Sequence, residues 1–231
     1  MIRVVIADDQ ALVRDGFSLI LNLEDDIDVV AVAGDGRQCL REVARTRPDV
    51  VLMDIRMPVL DGIAATEEIM RSGASARVLI LTTFDLDVYV YRALRAGASG
   101  FLLKDVPRQQ LAAAVRIVAD GGSVVGPAIT QRLIEHFVGR PPVGNPLPPT
   151  LRRLTVRESE ILRALAQGRS NRELARALAL SDATVKTHVA TILAKLGVRD
   201  RLQAVVLAYE SGFVQPGRVD DANSPGGPDA R

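Results

Sequence analysis

Residues 1–125 of this 231-residue chain predict a doubly wound α/β domain with five parallel strands, and residues 151–214 predict an all-α domain of four helices. Three observations carry this expectation. Short β-branched runs alternate with amphipathic stretches through the first domain. Runs such as "VLIL" (78–81) are apolar throughout, as burial on both faces of a parallel sheet requires. Five prolines within the twelve residues Gly139–Thr150 then divide the chain, because such a stretch can form neither helix nor central strand.

Strands are expected at Ile2–Ala7, Val29–Ala33, Val50–Asp54, Arg77–Thr82 and Gly100–Leu103. Between and after them the helical period predicts helices at Ala11–Leu23, Arg37–Arg47, Ala64–Arg71, Asp87–Ala96 and Pro107–Asp120. Residues 126–150 read as a linker, with a short helix over 127–138 followed by the proline-rich stretch. Beyond it, helices are predicted at Val156–Ala166, Asn171–Ala177, Asp182–Leu196 and Arg201–Ser211. The tail, 215–231, is rich in Gly, Pro and Asp and predicts disorder.

Composition narrows the class of function. No run approaches the roughly 18 apolar residues of a membrane span, and no basic and apolar leader opens the sequence, so a cytoplasmic protein is expected. The single cysteine, Cys39, lacks the spacing of a metal site and reads as a packed helix residue. A net charge of +1 conceals an asymmetry: residues 1–125 carry −4 and residues 151–215 carry +5, which directs nucleic acid to the second domain only. Among basic residues the chain uses 26 Arg and only three Lys, at 104, 186 and 195.

In an open parallel sheet, ligands bind beyond the carboxyl ends of the strands. There the sequence gathers Asp8 and Asp9 after the first strand, Asp54 at the end of the third, Thr82 and Thr83 at the end of the fourth, and Lys104 after the fifth. Loop polarity alone would account for one such carboxylate but poorly for this coincidence. Three neighbouring carboxylates repel, and a divalent cation relieves them; magnesium suits oxygen ligands and a phosphate partner. A carboxylate can itself accept a phosphoryl group. On "ADD" (7–9), "DIRMP" (54–58), Thr82 and the Lys104 of "GFLLKD", residues 1–120 resemble the flavodoxin-like receiver domain of response regulators. The resemblance implies Asp54 as phosphoacceptor and Mg²⁺ held by Asp8, Asp9, Asp54 and the backbone carbonyl of Arg56. It implies Thr82 and Lys104 as phosphoryl-contacting groups, Phe101 as the aromatic switch residue, and a sensor histidine kinase as partner.

The second domain opens helices with recognisable caps. Ser170 with Glu173 forms a capping-box pattern, and "SDAT" (181–184) starts the next helix after the short "LAL" (178–180). Two tightly joined helices, the second with an exposed stripe of Lys186, Thr187, Ala190 and Thr191, make a helix-turn-helix pattern. Together with "LTVRE" (154–158), "TVKTH" (184–188) and "LGV" (196–198), it resembles the LuxR-type DNA-binding domain; the whole chain resembles the NarL/FixJ arrangement. Carried over, Lys186 and Thr187 would contact bases, with Thr184, His188 and Lys195 near phosphates. Ala204, Val205 and Ala208 on the last helix are expected as a dimer face.

A phosphorylation-activated, DNA-binding transcriptional regulator is therefore expected, dimerising on inverted half-sites. Its acidic receiver would mask the basic recognition helix until activation. Two other readings remain at this level: a magnesium-dependent phosphotransferase, which would want an acid where Arg56 stands, and a regulator that acts through protein contacts alone.

Overall fold

The computed structural model describes residues 1–83, 87–125 and 147–214. The expected helix 127–138, His136, the prolines up to 146 and the tail from 215 lie outside the described residues. The first domain is a parallel sheet in the order β2-β1-β3-β4-β5-β6. Its strands are β1 (Ile2–Ala7), β2 (Ile27–Ala33), β3 (Val50–Asp54), β4 (Arg77–Thr82), β5 (Gly100–Leu103) and β6 (Val124–Val125). The sixth strand was not expected. It pairs with Gly100 and Phe101 of β5, and only glycine admits it, since a Cβ on Gly100 would lie 2.7 Å from the Val124 carbonyl.

The crossover helices are α1 (Ala11–Leu21), α2 (Gly36–Thr46), α3 (Gly62–Arg71), α4 (Asp87–Arg95) and α5 (Arg108–Ala119). Alternation along the strands fills two cores. Val5, Val51, Met53, Val78, Ile80 and Phe101 meet α2, α3 and α4 on one face. Ile6, Val50, Leu52, Leu79 and Leu81 meet α1 and α5 on the other. Asp35 and Asp61 cap α2 and α3 by accepting from Gln38 N and Ala64 N at 2.8 and 2.7 Å, which satisfies donors that a helix start leaves open. Cys39 is wholly buried, and burial pushes its thiol up to about 12. It is core.

The second domain contains α6 (Pro149–Arg152), α7 (Val156–Ala166), α8 (Asn171–Leu178), α9 (Asp182–Leu196) and α10 (Arg201–Glu210). The short α6 begins inside the stretch read as linker because Leu151 plugs the helical core. Capping boxes start α7 (Thr155 with Glu158) and α8 (Ser170 with Glu173). Ala179 takes a left-handed backbone, φ 52°, and turns the chain sharply into α9, whose cap is Ser181.

The domains touch through α10. Leu202 and Val206 belong to the receiver-side core with α4, whereas Ala204 and Ala208 are wholly buried in the helical domain's own core. Gln203 donates to the carbonyls of Leu94 and Ala98 at 2.8 and 3.0 Å. Glu210 accepts from the Tyr91 hydroxyl at 2.7 Å and pairs with Arg95 at 3.1 Å. Among the described residues, no helix is long and apolar enough to cross a membrane.

Candidate functional site

The strand order reverses direction between β1 and β3, and such a switch point opens a crevice at the carboxyl edge of the sheet. Asp8 and Asp9 leave β1 there and Asp54 ends β3, so topology alone brings the three carboxylates together. Their ligand atoms lie within 4.8 Å of one another, with Asp8 and Asp54 buried and Asp9 exposed. Lys104 enters from β5 and bridges them: its Nζ lies 2.5 Å from Asp8 Oδ2 and 3.1 Å from Asp54 Oδ1. Asp9, Gln10, Asp54, Arg56, Thr82, Thr83 and Lys104 line a cavity of about 240 Å³.

Burial, and then the negative charge of Asp8, push the Asp54 carboxyl above its ordinary range, against the opposing pull of Lys104. For Lys104, burial works to lower the pKa, but hydrogen bonds and charge from Asp8 and Asp54 outweigh it and the ammonium is held above its usual value. The set is therefore two acids that share one cation, with a third acid open to solvent. Three carboxylates within reach of one another suit a hard divalent ion, and this donor set fits magnesium.

Thr82 is buried at the end of β4 and Thr83 is exposed, as strand alternation demands. Phe101 is 2 % exposed and packs in the core under α4. Two supporting residues had no sequence signal. Arg14 Nη1 donates to the carbonyls of Asp8 and Asp9 at 2.7 and 3.1 Å, which fixes the loop that presents both acids. Gly62 lies so close to Asp54 that a Cβ would come within 1.9 Å of the Asp54 carbonyl oxygen. Val59 holds φ at 66°, a strained setting for a β-branched residue, in the turn between them. Arg56 lies over the Tyr89 ring, 5.7 Å from its centroid.

In the helical domain, Thr184, Lys186, Thr187, Ala190 and Thr191 are exposed on α9 and His188 is partly buried, while Val185, Ile192 and Leu196 face the core. Lys195 stands apart from them. Its Nζ donates to both Glu158 oxygens at 2.7 Å, so it ties α9 to the start of α7. Two expectations are corrected. Ala204 and Ala208 cannot form a dimer face, because both are fully buried within their own domain, and Val205 is only partly buried against the same core. The receiver covers α10, none of whose residues is exposed, and leaves the polar face of α9 open. Leu202 and Val206 gain from burial; a lysine–threonine face would lose hydration.

Comparison with known proteins agrees with this geometry. Residues 4–116 match the family model described as response regulator receiver domain, and residues 152–208 match bacterial regulatory proteins, luxR family. The chain is similar to the uncharacterized transcriptional regulatory protein YxjL of Bacillus subtilis, with 41 % identity over 93 % of this chain and 98 % of that one. It is 40 % identical to the oxygen regulatory protein NreC of Staphylococcus carnosus, over 90 % of this chain and 97 % of that one. Among solved structures, the response regulator ChrA of a heme-sensing two-component system matches at 40 % identity and a TM-score of 0.51, covering 92 % of this chain and 98 % of that one. A receiver-type acid cluster and a LuxR-type helix-turn-helix on one chain, matched along nearly its whole length, place this protein among the two-component response regulators that act as transcription regulators.

Proposed function

We propose that Asp54 accepts a phosphoryl group from the phosphohistidine of a sensor histidine kinase and that this modification governs binding of α9 to promoter DNA. The observation that carries the reading is the acid pair Asp8–Asp54 held on one lysine at the switch point of the sheet. In the transfer, an Asp54 carboxylate oxygen forms a bond to phosphorus as the phosphorus–nitrogen bond of the donor breaks, and the imidazole leaves. Asp8, Asp9, Asp54 and the backbone carbonyl of Arg56 would hold Mg²⁺, which supplies neutralisation of phosphoryl oxygens when bound. Lys104 would turn its ammonium from Asp54 to a phosphoryl oxygen, and the buried Thr82 hydroxyl would follow. Phe101, packed under α4, would transmit that shift toward α10.

Lys186 and Thr187 would read base edges in the major groove, with Thr184 and His188 near the backbone. Lys195, tied to Glu158, would lie near the phosphates beside them. The protein would act in the cytoplasm as a homodimer on inverted repeats, as a switch with slow loss of phosphate. Position 56 is arginine, so no acid is placed there to drive turnover.

The test is a genomic-DNA pull-down with the full-length protein, with and without beryllofluoride plus Mg²⁺ as an aspartyl-phosphate mimic. Enrichment of inverted repeats only with the mimic is expected. Equal enrichment in both arms would remove the phosphorylation gate, and none in either would favour regulation through protein contacts.

A further inference from the structure

Asp200 precedes α10 and caps it, and it is also the most buried carboxylate of the molecule's seam. It is 0 % exposed. Its Oδ1 accepts from the Gln203 N–H at 3.1 Å and from the Ser123 hydroxyl at 3.3 Å, and that hydroxyl in turn accepts from the Leu202 N–H at 3.3 Å. Among the described residues, its Oδ2 is the buried side-chain oxygen that has no hydrogen-bond partner. The enclosure is bipartite: Ser123, beside β6, and Ser99, before β5, come from the receiver, whereas Leu202 and Gln203 belong to α10.

Among the described residues, no cation answers this carboxyl. The neighbouring Arg199 spends its guanidinium on Met70 Sδ and on the carbonyls of Ala74 and Ala76. On α4, Arg95 and Tyr91 are engaged with Glu210, at the other end of α10. From the receiver side, among the described residues, the serines just before β5 and β6, Ser99 and Ser123, face it. An ionised carboxylate enclosed without a counter-charge is costly, and a protonated one becomes a donor for its orphaned side. Burial, the largest influence, indeed raises the Asp200 pKa despite the hydrogen bonds that Gln203 N–H and Ser123 supply.

We propose that Asp200 is a proton-linked latch between the two domains: the docked form holds it protonated at the seam, and separation of α10 from the receiver releases that proton to solvent. Once the seam opens, Asp200 is an ordinary exposed helix cap, and the positive end of the α10 dipole favours its ionised form. The sign follows from linkage. The docked form binds the extra proton, so docking strengthens as pH falls and weakens as pH rises through the docked-state pKa. Acidity would thus oppose opening and alkalinity would assist it, independently of the chemistry at Asp54.

The experiment uses full-length protein with fluorophores on Arg41→Cys and Arg172→Cys, both exposed positions, and follows interdomain energy transfer. As the pH is raised from about 4, the ordinary aspartate value, through neutrality, the open-to-docked ratio is expected to rise by up to about tenfold per pH unit until the docked carboxyl ionises. Asp200→Asn keeps the cap acceptor and supplies a neutral donor, so it should dock more firmly and show a flat profile. A flat wild-type profile overturns the proposal, and so does a wild-type slope retained in Asp200→Asn, which would assign the titration to another group. Carboxyl-carbon NMR of Asp200 in the unaltered protein gives a second reading that needs no variant. Titration above the ordinary aspartate range is expected, and titration within it overturns the latch.

Discussion

Lys104 is the residue on which the acid site balances. It neutralises two buried carboxylates at once, with its own side chain only 8 % exposed. Removing one partner of such a group leaves charge stranded, at a cost on the order of 3 kcal/mol. Lys104→Met is therefore expected to lower the melting temperature in chelator, and Mg²⁺ should restore more of it than Mg²⁺ adds to wild type. Thermal melts with and without the ion check this; equal increments would show that Lys104 and the metal do not offset the same acidic charge. Gly62 is constrained as tightly, but by space. A methyl at that position must move the Asp54 backbone, so Gly62→Ala is expected to destabilise by about 1–3 kcal/mol through overpacking, read in urea denaturation of the full chain. Of the two, only Lys104 stands in a motif that announced its role in the sequence. The contact between Gly62 and Asp54 depends on how the β3–α3 turn folds back, and no periodic pattern encodes that.

At the scale of elements, the strands β1, β3, β4 and β5 have the bounds that their apolar runs predict. β2 starts two residues before the expected Val29, because the exposed Asp28 interrupts an otherwise buried start at Ile27. β6, with two residues, is too short to carry any period. The acid cluster was legible because strand ends converge by topology. The partner of Lys195 was not, because a helical pattern gives a face but not which neighbour meets it. Glu158 shows what was missed: it closes the α7 capping box at Thr155 and receives Lys195, with its side chain 7 % exposed. The Lys195 hydrogen bonds, then those from Thr155, hold its carboxyl below the ordinary range. A depressed acid stabilises above its unfolded pKa and loses that contribution as pH falls through the lowered value. The helical domain should therefore weaken in acid below the usual carboxylate range. Glu158→Gln removes this acid-dependent part and costs about 1–2 kcal/mol at neutral pH, discounted because the ammonium is 30 % exposed. Circular-dichroism melts across that range compare the two. A Glu158→Gln profile that retains the full acid slope would place the titrating group elsewhere.

For the whole molecule, α10 is the element that serves two cores. Positions 202 and 206 lie four apart, as do 204 and 208, and the two pairs are offset by about 200° around a helix of 3.6 residues per turn. One apolar helix thus has two inward faces, which the sequence alone merges into a single stripe. With Ala204 and Ala208 committed to their own domain and Leu202 and Val206 to the receiver, α10 has no exposed residue left for another copy. The recognition face of α9 meanwhile stays open. Docking should therefore restrain pairing of two copies more than entry of one α9 into a groove. Gln203→Ala separates these effects, since it deletes the two bonds to Leu94 and Ala98 carbonyls, which water replaces only when the seam opens. Losing them shifts the equilibrium toward the open form by about 1–3 kcal/mol, at roughly 0.5–1.5 kcal/mol per bond. Unphosphorylated Gln203→Ala should bind a duplex with two inverted half-sites several-fold more tightly than wild type, at matched salt. Its affinity for a duplex with one half-site should not change. Fluorescence anisotropy on both duplexes decides the matter. A parallel gain on both would mean that the receiver masks α9 after all, and a gain on neither would mean that α10 docking does not restrain assembly on DNA.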